Sequence, residues 1–160
     1  MEDFERYLTY AIRFLSLRPR SIKEVKDRLI RKQASSEVID KVITSLIANH
    51  FVDDQEFARW WIRQRTEFRP KPKRVITMEL MQKGVDKEII AEAFADDESP
   101  FVGDLAQAKQ VGERQIRRYR ALPRDIAKQK LAAFLARRGF SWETISRCID
   151  DILALQYNSG

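Results

Sequence analysis

Residues 80–90 read LMQKGVDKEII, and residues 135–145 read LARRGFSWETI. Both pass from a leucine through a basic residue and a glycine to a polar helix starter, a glutamate and an isoleucine. A weaker copy, LIRKQASSEVI, fills residues 29–39 with Gln33 in place of the glycine. Self-similarity at a spacing of about 50 residues marks a repeated supersecondary unit. A glycine between two helical patterns takes the left-handed conformation that stops a helix cheaply, so each copy reads as helix, turn, helix.

Working outward, Tyr7, Leu8, Ala11, Ile12 and Leu15 recur at helical spacing. Arg18-Pro19 ends that helix, because proline biases the residue before it away from helical geometry. Ser21 and Glu24 have the spacing of a capping box and open a helix with Ile22, Val25 and Leu29 inside. After a break at Gln33-Ala34-Ser35, a third helix is expected to bury Val38, Ile39, Val42, Ile43, Leu46 and Ile47.

The plan then recurs. Asp53 caps a helix burying Phe57, Ala58, Trp61 and Ile62, Arg69-Pro70 ends it, and Pro72 suits the next first turn. Asp86 is expected to cap a helix with Ile89, Ile90, Ala93 and Phe94 inside. A third unit opens at Ser99-Pro100 with a helix reaching about Tyr119, and restarts at Pro123. It closes with a helix capped by Ser141 that places Trp142, Ile145, Ile149 and Ile152 on one face.

Laid over one another, Val25, Ile76 and Leu131 are equivalent, as are Leu29, Leu80 and Leu135, then Ile39, Ile90 and Ile145. The expected fold is all-α: three tandem three-helix repeats over residues 1–52, 53–98 and 99–160, stacked as an elongated, curved array.

Composition agrees. Apolar residues make up 44% and charged residues 34%, with only five glycines and five prolines, a helix-favouring balance. No apolar run approaches the ~18 residues of a membrane span. The opening MEDFERYLTYAIRFL lacks the basic-then-apolar order of a secretory signal. The single cysteine, Cys148, excludes an internal disulfide and fits a reducing compartment. A soluble, cytoplasmic monomer is expected.

The net charge of +6 is uneven: +3 over residues 1–52, −2 over 53–103 and +5 over 104–160. Residues 59–83 carry eight basic side chains against Glu67 and Glu79, and residues 114–138 carry nine against Asp125. Clustered positive charge points to an anionic partner. The candidate contacts are Arg59, Arg63, Arg65, Arg69, Lys73 and Arg74, followed by Arg114, Arg117, Arg118 and Arg120. Lys71, Arg124, Lys128 and Lys130 extend the two runs. Lys32, Lys83 and Arg138 lie in last helical turns, where cations simply offset the helix dipole. Trp60 and Tyr119 are candidates for stacking on bases, whereas the spacing of Trp142 puts it in the core.

Catalytic candidates are poor. His50, the only histidine, ends a helix and reads as a capping or packing residue. Cys148 sits by the Ile145/Ile149 stripe as a small apolar filler. Asp53-Asp54 and Asp96-Asp97-Glu98 could hold Mg²⁺, but both flank expected helix starts, where carboxylates stabilise the dipole. There is no glycine-rich phosphate loop and no metal-ligand spacing of Cys and His, so no cofactor and no enzymatic activity are expected.

At VDDQEFARWWIRQR, residues 52–65, and KPKRVITMELMQKGVDKEII, residues 71–90, the chain resembles the bacterial RecX recombination-regulator family. The matching residues are Asp53, Asp54, Phe57, Ala58, Ile62, Arg63 and Arg65, then Glu79-Leu80 and Lys83-Gly84. RPRSIKEVKDRL and FLARRGFSWETI fit that family's first and third repeats. The chain departs from the pattern at Gln33 and at Asn49-His50, both turn positions.

The resemblance implies tandem three-helix repeats without catalysis. It also implies binding to the RecA recombinase, above all its filament on single-stranded DNA, with inhibition of ATP hydrolysis, strand exchange and stimulated repressor cleavage. Weaker binding to single-stranded DNA, and to double-stranded DNA as a further candidate, accompanies that reading. The alternative is a helix-turn-helix-like nucleic-acid module with no recombinase partner.

Overall fold

Helix ends decide where this chain turns, and four of them share one device. After Leu29, Leu46, Leu80 and Leu135 the chain closes the Schellman pair of backbone bonds: Ala34, Phe51, Val85 and Phe140 each donate back to that leucine's carbonyl. The pivot residue between is left-handed in every case: Gln33 at φ 65, His50 at φ 58, Gly84 at φ 78 and Gly139 at φ 95. Two of the four pivots therefore carry side chains where glycine is the unstrained choice. Gln33→Gly is expected to raise stability by on the order of 0.5 kcal/mol, relief of strain exceeding the added unfolded-state entropy. A higher thermal midpoint for the variant is the result that checks this.

The computed structural model describes residues 1–157, which form nine α-helices. The first repeat holds α1 (Glu2–Leu17), α2 (Ile22–Arg31) and α3 (Ser36–Ala48). The second holds α4 (Asp54–Glu67), α5 (Lys73–Gln82) and α6 (Lys87–Ala95). The third holds α7 (Asp104–Ile116), a single 3-10 turn (Arg117–Tyr119), α8 (Arg124–Arg137) and α9 (Trp142–Tyr157). The expected equivalences describe the core: Val25, Ile76 and Leu131 are fully buried, as are Leu29, Leu80 and Leu135, and Ile39, Ile90 and Ile145 are buried too.

By packing, the chain divides into two compact units. One comprises Met1–Trp61 and Met78–Asp97, the other Ile62–Thr77 and the residues from Glu98 on, so the second repeat contributes to both. In the first unit Tyr7, Ala11, Val25, Leu29, Val42, Ile43 and Leu46 form the core, and the Tyr7 hydroxyl donates to the Lys32 carbonyl at the end of α2. In the second unit Ala108, Val111, Leu131, Leu135, Ile145, Ile149 and Ile152 pack together with the thiol of Cys148. The Tyr157 hydroxyl donates to the carbonyls of Tyr119 and Leu122 at 3.1 and 2.7 Å, fixing the turn before α8.

Five expectations need correction. Trp142 is 72% exposed: as the first residue of α9 it lies where the helix begins and projects outward despite its matching period. Ile47, in the last turn of α3, is 46% exposed. The helix expected from Ser99 begins only at Asp104, after a non-helical stretch through Gly103. Asp96-Asp97-Glu98 therefore follows the end of α6 rather than opening a helix, and Asp86 stands at the start of α6 without a side-chain capping bond.

Asp53 and Asp54 divide the work of capping. Asp53 Oδ1 accepts from the N–H groups of Gln55 (2.8 Å) and Glu56 (3.4 Å), the first turn of its own helix. Asp54 Oδ1 instead accepts the N–H of Ile22 at 2.9 Å, capping α2 of the preceding repeat. Asp104 repeats this on α5, accepting the N–H of Lys73 at 2.8 Å.

Burial raises the Asp54 carboxyl above its ordinary value, against the bond from Ile22 and with help from Asp86, Asp53 and Glu24. The folded pKa exceeds the unfolded one, so the folded state binds more protons between the two. The group's favourable contribution is full below the unfolded value and is lost as pH rises through the folded one. Asp54→Asn keeps the acceptor without the charge. Near neutral pH its thermal midpoint is expected to equal or exceed the parent's, the gain vanishing as pH falls toward ordinary carboxylate values. Asp54→Ala loses the cap and about 1 kcal/mol.

Candidate partner-binding cleft

The second unit carries a cleft of about 630 Å³. Six cations line it: Arg69, Lys71, Arg114, Arg118, Arg137 and Arg138. Phe68, Pro70, Val75, Val111 and Phe134 supply its apolar walls, and no carboxylate is among its described lining residues. Four elements converge to make it. The turn after α4 presents Phe68 to Lys71; α7 and its 3-10 extension bring Arg114 and Arg118; α8 ends in Arg137 and Arg138; α5 supplies Val75.

Gln107 holds the first two of these together. Its side chain is 1% exposed, and its amide nitrogen donates to the carbonyls of Arg65 (3.4 Å) and Lys71 (3.1 Å). Arg69 and Lys71 thus sit on a turn tied to α7 by part-buried polar bonds, and such bonds rigidify a site when they are fully satisfied. At the other wall the Arg74 guanidinium donates to the Gly139 carbonyl at 3.5 Å, and the Arg138 guanidinium lies 4.9 Å from the centre of the Phe134 ring.

Of the ten candidate contacts, Arg69, Arg114 and Arg118 line the cleft. Arg63, Arg65, Lys73, Arg74, Arg117 and Arg120 belong to the same unit but are not part of its lining, and Arg59 belongs to the first unit. Among the described residues no carboxylate pairs with Arg69, Arg114, Arg118 or Arg137. The outlying basic residues of α8 differ. Arg124 and Lys128 both reach Asp150, at 3.7 and 3.1 Å, and Lys109 reaches Asp151 at 3.8 Å, so these cations are answered within the unit.

Sequence alone does not single out Arg137 and Arg138 as site residues, because a last-turn cation already has a sufficient explanation in the helix dipole. Local sequence carries no signal that distinguishes them: Arg137-Arg138 precedes Gly139, and Arg31-Lys32 precedes the equivalent Gln33 in the same way.

The other candidates have structural roles. Trp60 is half-buried, 6.1 Å from the rings of Phe57 and Trp61, with the Arg18 guanidinium 5.7 Å from its own ring. The Tyr119 hydroxyl accepts from the Gln115 amide at 3.0 Å. His50 is the exposed left-handed pivot after α3. Cys148 is fully buried, and burial pushes its thiol pKa up, away from the reactive thiolate. Among the described residues no group of three or more His, Cys, Asp or Glu is placed to hold a metal ion. No described helix is long and apolar enough to cross a membrane.

Family models match the chain in order: RecX first three-helix domain over residues 8–46, second over 53–93 and third over 103–149. A protein of Pelodictyon phaeoclathratiforme named regulatory protein RecX is 32% identical over 89% of this chain and 86% of its own length. One of the same name from Prosthecochloris aestuarii is 33% identical over 94% of this chain and 96% of itself. Some relatives are longer: the chain spans 55% of the Bacillus cytotoxicus protein and 56% of the Bacillus subtilis one. The crystal structure of RecX from Lactobacillus salivarius has the same fold, with a TM-score of 0.71 at 24% identity over 94% of this chain and 97% of that one. Three successive family domains and relatives matched along nearly their whole length make this chain a member of the RecX family.

Proposed function

We propose that this chain is a non-enzymatic, cytoplasmic regulator that acts as a monomer. It binds the RecA recombinase, chiefly as the filament on single-stranded DNA, and restrains its ATP hydrolysis, strand exchange and co-protease action. The observation that carries this reading is the cleft of the second unit, which six cations line with no carboxylate in the described lining. A family of regulators of a DNA-bound filament needs a surface that prefers anions, and this is the surface the chain offers.

Arg69, Arg114 and Arg118 touch the partner directly in this reading, and Arg59, Arg63, Arg65, Lys73, Arg74, Arg117 and Arg120 add long-range attraction that speeds encounter. Bridging neighbouring protomers would hold them in one arrangement and slow the closure that each round of hydrolysis requires. ATP itself is never touched.

The test is a RecA ATPase assay on single-stranded DNA with increasing amounts of this chain, run at a salt concentration that has already weakened its binding to bare DNA. Suppression of turnover is the expected result. Unchanged turnover at high excess, together with tight bare-DNA binding that falls steeply with salt, would establish the helix-turn-helix-like DNA module instead.

A further inference from the structure

The two compact units carry the same repeat junction, built once around a helix carboxylate, Glu24, and once with Val75 at the matching place. In the first unit the junction consists of Arg18-Pro19-Arg20 before α2, Glu24 on α2 and Lys83 before Gly84. The matching residues of the second unit are Arg69-Pro70-Lys71 before α5, Val75 on α5, and Arg138 before Gly139. Both glycines are left-handed and abut the helix in question. A Cβ on Gly84 would stand 2.7 Å from Lys23 Cβ, and one on Gly139 would stand 2.5 Å from Val75 Cγ2. The sequence correspondence is therefore also a correspondence of packing.

Glu24 is the hub of the first junction. Its carboxylate bonds the Arg18 guanidinium, lies 3.8 Å from Arg20 Nη1 and 3.7 Å from Lys83 Nζ, and accepts the N–H of Ser21 at 3.3 Å. Its side chain is only 15% exposed, so three cations are gathered about one sheltered carboxylate. Val75 cannot play this part. The second junction nevertheless keeps a cation at each matching place, and Arg114, Arg118 and Arg137 join them.

We infer that the cleft of the second unit is a receptor for a carboxylate of a partner protein, a Glu or Asp flanked by an apolar side chain, held as Glu24 is held in the first unit. This deepens the regulator reading and rests on it. The preference for an acidic protein segment over a phosphate backbone comes from the walls. Phe68, 65% exposed, stands with Val75, Val111 and Phe134 around the cations. Such walls favour an apolar neighbour of the acid through burial, whereas a solvated sugar-phosphate chain gains little from them. Arginine forks meet a carboxylate through two parallel bonds, which fixes its orientation as well as its charge.

The test uses the full chain with isotope-labelled arginine side chains, followed by NMR. The probes are a capped peptide Gly-Phe-Glu-Phe-Gly, the same peptide with Gln for Glu, and a short thymidine oligonucleotide. The Glu peptide is expected to shift the signals of Arg114, Arg118 and Arg137, with binding at least about tenfold tighter than the Gln peptide. Val75→Glu, which supplies the chain's own carboxylate, is expected to lose Glu-peptide binding while Val75→Gln keeps it. Equal binding of the Gln and Glu peptides, or shifts from the oligonucleotide alone, would overturn the inference. The ATPase assay separates it from the parent reading: suppression by the native chain and by Val75→Glu alike sinks the carboxylate receptor but leaves the regulator standing. No suppression by the native chain sinks the regulator, and the peptide titration still decides the chemistry of the cleft.

Discussion

Replacing Arg114, Arg118 and Arg137 together by glutamate is expected to raise the concentration needed for half-suppression of RecA ATPase by about a hundredfold or more. Removing one charge-assisted bond from an interface costs roughly 1–3 kcal/mol, and reversing the charge adds repulsion. All three side chains are unpaired with any carboxylate among the described residues, so the fold gives up little: thermal midpoint and helical circular dichroism should stay close to the parent's. Arg117→Glu with Arg120→Glu is the informative control. Those arginines share the same basic run but do not line the cleft, so their reversal is expected to alter the half-effect concentration only severalfold. Equal damage from both sets would show that bulk charge, not the cleft, does the binding.

The largest stability effect is expected at Gly139. Alanine there must accept a φ of 95°, outside the range that L side chains take comfortably, and its Cβ would sit 2.5 Å from Val75 Cγ2. Backbone strain of about 1–2 kcal/mol and overpacking of about 1–3 kcal/mol together give a loss near 3 kcal/mol. For a chain of this size that lowers the thermal midpoint by roughly 6–12 °C. Gly103 provides the comparison, since its φ of 124° carries the strain but nothing lies within 4 Å of the added carbon. Gly103→Ala should therefore lose clearly less. A similar loss at both positions would mean that the contact with Val75 is soft.

The repeats were legible because they are written in local signals. A leucine, a left-handed pivot and a polar starter recur three times, and the positions they align are the buried ones: Leu29, Leu80 and Leu135 all have no exposed surface. Periodicity misled where a helix begins. Trp142 fits the stripe of α9 by count, yet the first turn of a helix has packed neighbours on one side only. The cleft was only half legible, for a reason of distance. Arg74 and Gly139, which meet beside it, lie 65 residues apart in the chain, and nothing near either in sequence announces the other. Charge density pointed to Arg69, Arg114 and Arg118 but could not separate them from Arg124 and Lys128, whose charge is met by Asp150.

The carboxylates of Asp54 and Asp104 give the chain a direction. Each reaches back to finish the helix start of the repeat before it, Ile22 for the one and Lys73 for the other, and neither serves its successor. Loss of a repeat is thus felt by the repeat before it, whose helix start loses its acceptor, and this dependence runs one way along the chain.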